Sequence, residues 1–157
     1  MRKVAKRVED PHADAVYAWE NDFRDWNLRI CSLAECKEVM DTACAHYGVA
    51  PPKVILWKRS YSWCPDVRVP NPKRLLDQPI VRLCELGQNW PTVLHEAAHW
   101  IALHLAPKAY SHGPTWLGIY MWLLAQAKVA PETALRASAR SAGIRWVQRS
   151  PNWFKCK

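Results

Sequence analysis

No stretch of the chain approaches the eighteen or so consecutive apolar residues of a membrane-spanning helix, so no membrane partner is expected. The opening residues, Met1-Arg2-Lys3-Val4-Ala5-Lys6-Arg7, bring charge without the apolar run of a secretory leader. None of the six cysteines (Cys31, Cys36, Cys44, Cys64, Cys84, Cys156) forms a Cys-x-x-Cys pair. A thiolate metal ribbon therefore has no support, and Cys31 with Cys36 lacks a second pair to complete a site. These absences point to a cytoplasmic protein whose thiols stay reduced and pack as small hydrophobes. Internal repeats and low-complexity segments are missing as well. Acidic residues are scarce, 14 against 22 Lys and Arg, which leaves a formal charge of +8 and favours polyanionic company. The imbalance is polarised: from Lys128 onward, Lys128, Arg136, Arg140, Arg145, Arg149, Lys155 and Lys157 face only Glu132.

What is present suits one domain. At 157 residues and 50% hydrophobic, the chain can bury a core without disulfides. A single domain over 1–157 is expected, with N-terminal helices in 1–49, a sheet and the histidine-bearing helices in 50–127, and a basic helix and tail in 128–157. Asp10-Pro11 reads as an N-cap and first helical position, opening a helix to about Trp26 with Val16, Trp19 and Phe23 at helical spacing. Ser32-Leu33-Ala34-Glu35 is a capping-box pattern, launching a second helix that stops at Gly48. Strands follow at Lys53–Lys58 and Ile80–Cys84, with a short one expected at Tyr61–Cys64 and a proline-rich loop from Pro65 to Pro79. Three more helices are expected, at about Pro91–Leu105, from Pro114 onward, and at about Pro131–Ala142 before Gly143.

The helix at about Pro91–Leu105 carries His95-Glu96-Ala97-Ala98-His99. Residues four apart share a helix face, about 40° from one another, so two imidazoles can hold one Zn²⁺ while the intervening Glu reaches the attacking water. By chance this pattern occurs in roughly one chain in a few hundred of this length, so a third ligand has to be found. His104 falls on nearly the opposite side of the helix. His112, held in Ser111-His112-Gly113-Pro114 just ahead of the next helix, is the favoured candidate, and Glu132, the sole downstream carboxylate, is its rival. Glu96 is then the general base, with Tyr110 and Tyr120 as the phenols that could stabilise an oxyanion.

His95-Glu96-Ala97-Ala98-His99 followed by Ser111-His112-Gly113-Pro114-Thr115-Trp116 resembles the SprT-like zinc metallopeptidases, which pair a His-Glu-x-x-His helix with a later His-Gly-Pro-x-aromatic turn. Ile80-Val81-Arg82-Leu83 also looks like the strand that precedes the motif helix in that family. The resemblance covers about residues 50–125. It implies an α+β fold with a zincin-like, minigluzincin-type core, helices packed on a small antiparallel β-sheet, and a strand that aligns an extended substrate. It further implies that His95, His99 and His112 bind Zn²⁺, that Glu96 is catalytic, and that the substrate is a protein, in some members one crosslinked to DNA. Two features depart from the family pattern: Trp116 stands where Phe is commoner, and the Cys-rich C-terminal zinc ribbon is missing. The basic tail is a possible substitute, with Arg136, Arg140, Arg145 and Arg149 contacting phosphates and Trp146, Trp153 and Phe154 stacking on bases, a combination suited to single strands. The same aromatics could instead pack back on the domain. Two other functions stay open, a zinc-containing nucleic-acid-binding protein without proteolytic activity and a metal-dependent hydrolase of a non-protein substrate.

Overall fold

A computed structural model describes residues 10–21, 29–60, 62, 80–107, 111–148 and 151. Among these residues, five α-helices and two strands are arranged in the order α1 (Ala13–Asn21), α2 (Leu33–Tyr47), β1 (Lys53–Leu56), β2 (Ile80–Leu83), α3 (Trp90–Leu105), α4 (Pro114–Gln126) and α5 (Glu132–Ser141). A single turn of 3₁₀ helix, Glu85–Gly87, precedes α3.

Local chemistry sets the helix ends. Ser32 caps α2 through a reciprocal pair: its hydroxyl accepts from the Glu35 amide at 3.2 Å, and the Glu35 carboxylate accepts from the Ser32 amide at 2.7 Å. Gly48 closes the same helix in the left-handed conformation, φ 66°, which suits glycine because it has no Cβ. The Asn89 side chain caps α3 by accepting from the Thr92 amide at 2.9 Å, and Pro91 sits in the first turn, where its missing N–H is not needed. The α1 helix starts at Ala13, two residues beyond Pro11, because the Asp10 carboxylate takes the His12 amide and the Asp10 carbonyl takes the Ala13 amide.

The central element is α3, buried on almost every face between α2 and α4, while α5 docks on α4. Ala97 and Ala98 are fully buried and keep α3 slim, so its neighbours approach closely. The buried apolar side chains form one cluster from Val16 to Ala139, including Met40, Val54, Val81, Leu83, Ile101, Trp116 and Leu124. Cys31, Cys36, Cys44 and Cys84 are buried free thiols, and the first three join that cluster.

The β-branched runs pair as expected, but in parallel, with Val54 opposite Val81 and Leu56 opposite Leu83. This corrects the antiparallel sheet expected above. A parallel pair needs a crossover of about a dozen residues or more, and residues 57–79 supply that length. The expected strand Tyr61–Cys64, apart from Ser62, and the Pro65–Pro79 loop lie outside the described residues, as does the continuation of α1 toward Trp26. No described helix is long and apolar enough to cross a membrane.

Burial pushes the Cys36 thiol up to about 11 and the Cys44 thiol up to about 12, from an ordinary value of 9.0. Both should resist alkylation at pH 8 until denaturant is added, as mapped by peptide mass spectrometry. Because the native state keeps protons that the unfolded chain releases, stability should fall as pH rises above about 9. Replacing Gly48 with Ala should lower stability by about 1 kcal/mol, read as a shift in urea midpoint at constant slope.

Candidate metal centre

Helical spacing places His95 and His99 one turn apart on the inner face of α3, and their Nε2 atoms lie 3.1 Å apart. His112 comes from the turn that Gly113 and Pro114 lock against the start of α4. That turn brings its Nε2 to 3.3 Å from Nε2 of His95. All three rings are buried, and their ligand atoms lie within 4.8 Å of one another. Nitrogens bound tetrahedrally at about 2.0–2.1 Å from a zinc ion sit about 3.3–3.4 Å apart. The two distances above therefore match a shared metal to within a few tenths of an ångström.

The outward nitrogens reinforce this fit. Nδ1 of His95 lies 2.7 Å from Oε1 of Glu20, and Nδ1 of His112 lies 2.5 Å from Oδ2 of Asp10, which also accepts the His112 amide at 3.1 Å. Ionised carboxylates only accept, so each Nδ1 carries the hydrogen, and in the neutral ring the Nε2 lone pair points inward. Lone pairs converging at this range repel unless a cation lies between them. Ser111 Oγ stands 3.3 Å from Nδ1 of His99, completing the outer contacts with a neutral group. Such contacts fix ring orientation and raise ligand basicity. Burial alone would raise the Glu20 carboxyl, but positive charge at His95, which a protonated ring or a cation on its Nε2 would supply, and hydrogen bonds from His95 and Tyr120 hold it below the usual carboxylate range.

Aromatic rings wall the centre. Trp116 is fully buried and its ring centroid lies 4.8–5.0 Å from those of all three histidines. Tyr17, on α1, stacks at 6.0 Å on His95 and meets His112 edge-on at 5.0 Å, yet is 42% exposed, so it borders the solvent side. Glu96 is buried on α3 between the two ligand positions of the motif.

The other anticipated residues separate clearly. His104 is exposed and its Nδ1 lies 2.8 Å from the Trp100 carbonyl oxygen, away from the cluster. Glu132 opens α5 and is ion-paired with Arg136 at 2.5 Å; it is not part of the described cluster. Tyr120 is buried, with its hydroxyl 3.2 Å from the Pro91 carbonyl and also bonded to Glu20, so it braces the site. Tyr110 lies outside the described residues. Arg140 and Arg145 are exposed, Arg136 is half-buried in its ion pair, and Arg149 lies outside the described residues with Trp153 and Phe154. Trp146 packs partly against the core, and the Val147 amide donates to the Pro114 carbonyl at 3.0 Å, which ties this end of the chain to the turn carrying His112.

Sequence reasoning missed Asp10, Glu20, Ser111 and Tyr17. Asp10 was accounted for as a helix cap. Glu20 did leave a signal: it lies four residues after the buried Val16, beside Trp19, so a carboxylate was being carried on an inward face. No protein-family model matches the chain, and no curated protein or solved structure shows significant similarity to it.

His112→Ala should reduce bound metal to a small fraction of the wild-type content after dialysis against a weak chelator. His104→Gln and Glu132→Gln should leave it unchanged, with elemental analysis by mass spectrometry as the readout.

Proposed function

We propose that the chain is a zinc-dependent endopeptidase of SprT-like type, acting on proteins on or near DNA. The observation that carries this reading is the convergence of three buried imidazoles with Glu96 on the same helix as two of them. An all-imidazole set suits zinc, and three protein donors is the number a catalytic zinc takes, whereas a structural zinc takes four. The described cluster offers three, which favours an enzyme over a zinc-stabilised binding protein.

When bound, zinc supplies Lewis acidity, bringing the pKa of water to about 7 and polarising a carbonyl. The chain's own residues do the rest. Glu96 accepts the proton of the attacking water and returns it to the departing amine, so both partial reactions use one carboxylate. Glu20, Asp10 and Ser111 orient the three imidazoles. Trp116 closes the inner side against water, and Tyr17 lies where a substrate would meet the site.

The DNA-linked part of the proposal is supported by the exposed Arg140 and Arg145 and by the bond that ties their segment to the ligand turn. A protein held on nucleic acid at that basic end would lie close to the histidines. The SprT-like type is supported by His95-Glu96-Ala97-Ala98-His99, by the turn His112-Gly113-Pro114 and by the strand Ile80–Leu83 that precedes α3.

Glu96→Gln should retain zinc while cleavage of a casein-type substrate falls by at least about 100-fold. Single-stranded DNA should accelerate cleavage of a DNA-bound protein by the wild type and not by Arg140→Glu/Arg145→Glu, with casein cleavage by that variant unaltered. A zinc-loaded wild type that cuts no protein substrate, with or without DNA, would leave hydrolysis of a non-protein substrate as the better reading.

A further inference from the structure

Both carboxylates that grip the ligand histidines come from one short N-terminal element. Asp10 stands in the turn that opens α1, and Glu20 is its penultimate residue. Their targets are far apart in sequence: Asp10 meets His112 across 102 positions and Glu20 meets His95 across 75. The Asp10 and Glu20 side chains are 3% and 7% exposed, so protein donors replace water around them, and in each case a ligand histidine is one of those donors. Between them Tyr17 lies against both rings, and Val16 and Trp19 fill the adjoining core.

Nine residues of α1 are described, and helices shorter than about 12–15 residues are marginal by themselves in water. The stability of α1 is therefore borrowed from these docking contacts. Two of its anchors are hydrogen bonds to imidazoles whose donor strength depends on what their opposite nitrogens bind. A cation at Nε2 withdraws electron density from the ring and makes Nδ1–H a better donor to a carboxylate.

We propose that Asp10 and Glu20 are positioning residues for the metal ligands, and that through them α1 is a clamp whose docking and metal retention are one coupled equilibrium. This rests on the three-histidine metal reading and adds a regulatory consequence to it. Metal uptake seats α1 and with it Tyr17 on the solvent side of the centre, and any agent that lifts α1 loosens the metal. Linkage makes the effect reciprocal: the factor by which docking strengthens metal binding is the factor by which metal strengthens docking.

The test uses the full chain and Zn²⁺ alone. Chelator competition should show zinc affinity falling about 10–100-fold in Glu20→Gln and in Asp10→Asn. Glu35→Gln, in the cap of α2 and away from the centre, should match the wild type. Hydrogen exchange on the wild type should show the amides of residues 13–21 protected about 10–100-fold more with zinc than without, a measurement that stands even where a variant fails to fold. Wild-type affinity in both variants, or exchange in α1 indifferent to zinc, would overturn the clamp. A wild type that takes up no zinc overturns the metal reading itself, whereas tight wild-type binding with unaffected variants overturns the clamp alone.

Discussion

A carboxylate taken out of water must find donors, and in this protein the donors for Asp10 and Glu20 include the outward nitrogens of two histidines. Much of the architecture around the site follows from satisfying that demand. It requires α1 to lie beside α3 with Glu20 facing His95, and the turn before α4 to present both the backbone amide and the ring of His112 to Asp10. Once those bonds form, the remaining nitrogens have one direction left, toward each other. The geometry of a metal centre thus emerges from the pairing of buried charges on its outside.

Electrostatics of the interior supports the same conclusion. Glu20 and Asp10 set their carboxylates against two of the three imidazoles, Trp116 and Tyr120 wall the rings, and Glu96 is buried on the same helix as His95 and His99. With neutral rings this group carries negative charge in a poorly solvated space, and a divalent cation offsets it. The surface has the opposite character. Arg140 and Arg145 are exposed in the segment that Val147 fastens to Pro114, so an inner site able to hold a cation borders a basic outer face.

Legibility in the sequence followed the range of the contact. His95 and His99 sit one helical turn apart, and their placement follows from a local period. His112 was within reach because Gly113 and Pro114 mark its turn and α4 returns along α3. The caps at Ser32 and Gly48 are local too, and the helix they bound lies close to where its pattern puts it. The inward face of Glu20 could be read from its spacing, but the partners of Asp10 and Glu20 could not, because nothing within a helical turn of either reveals a residue 102 or 75 positions away. Strand direction was lost for a related reason. Val54 and Val81 have the same alternation in either orientation, and only the path of the connecting chain decides between parallel and antiparallel.

The central claim is a metal held by His95, His99 and His112 with a coordination position left for water, and X-ray absorption at the zinc edge tests it most directly. The account predicts one zinc per chain with three imidazole nitrogens and one further oxygen at about 2.0–2.1 Å. Sulfur at about 2.3 Å, a fourth imidazole closing the shell, or protein that takes up no zinc would contradict it.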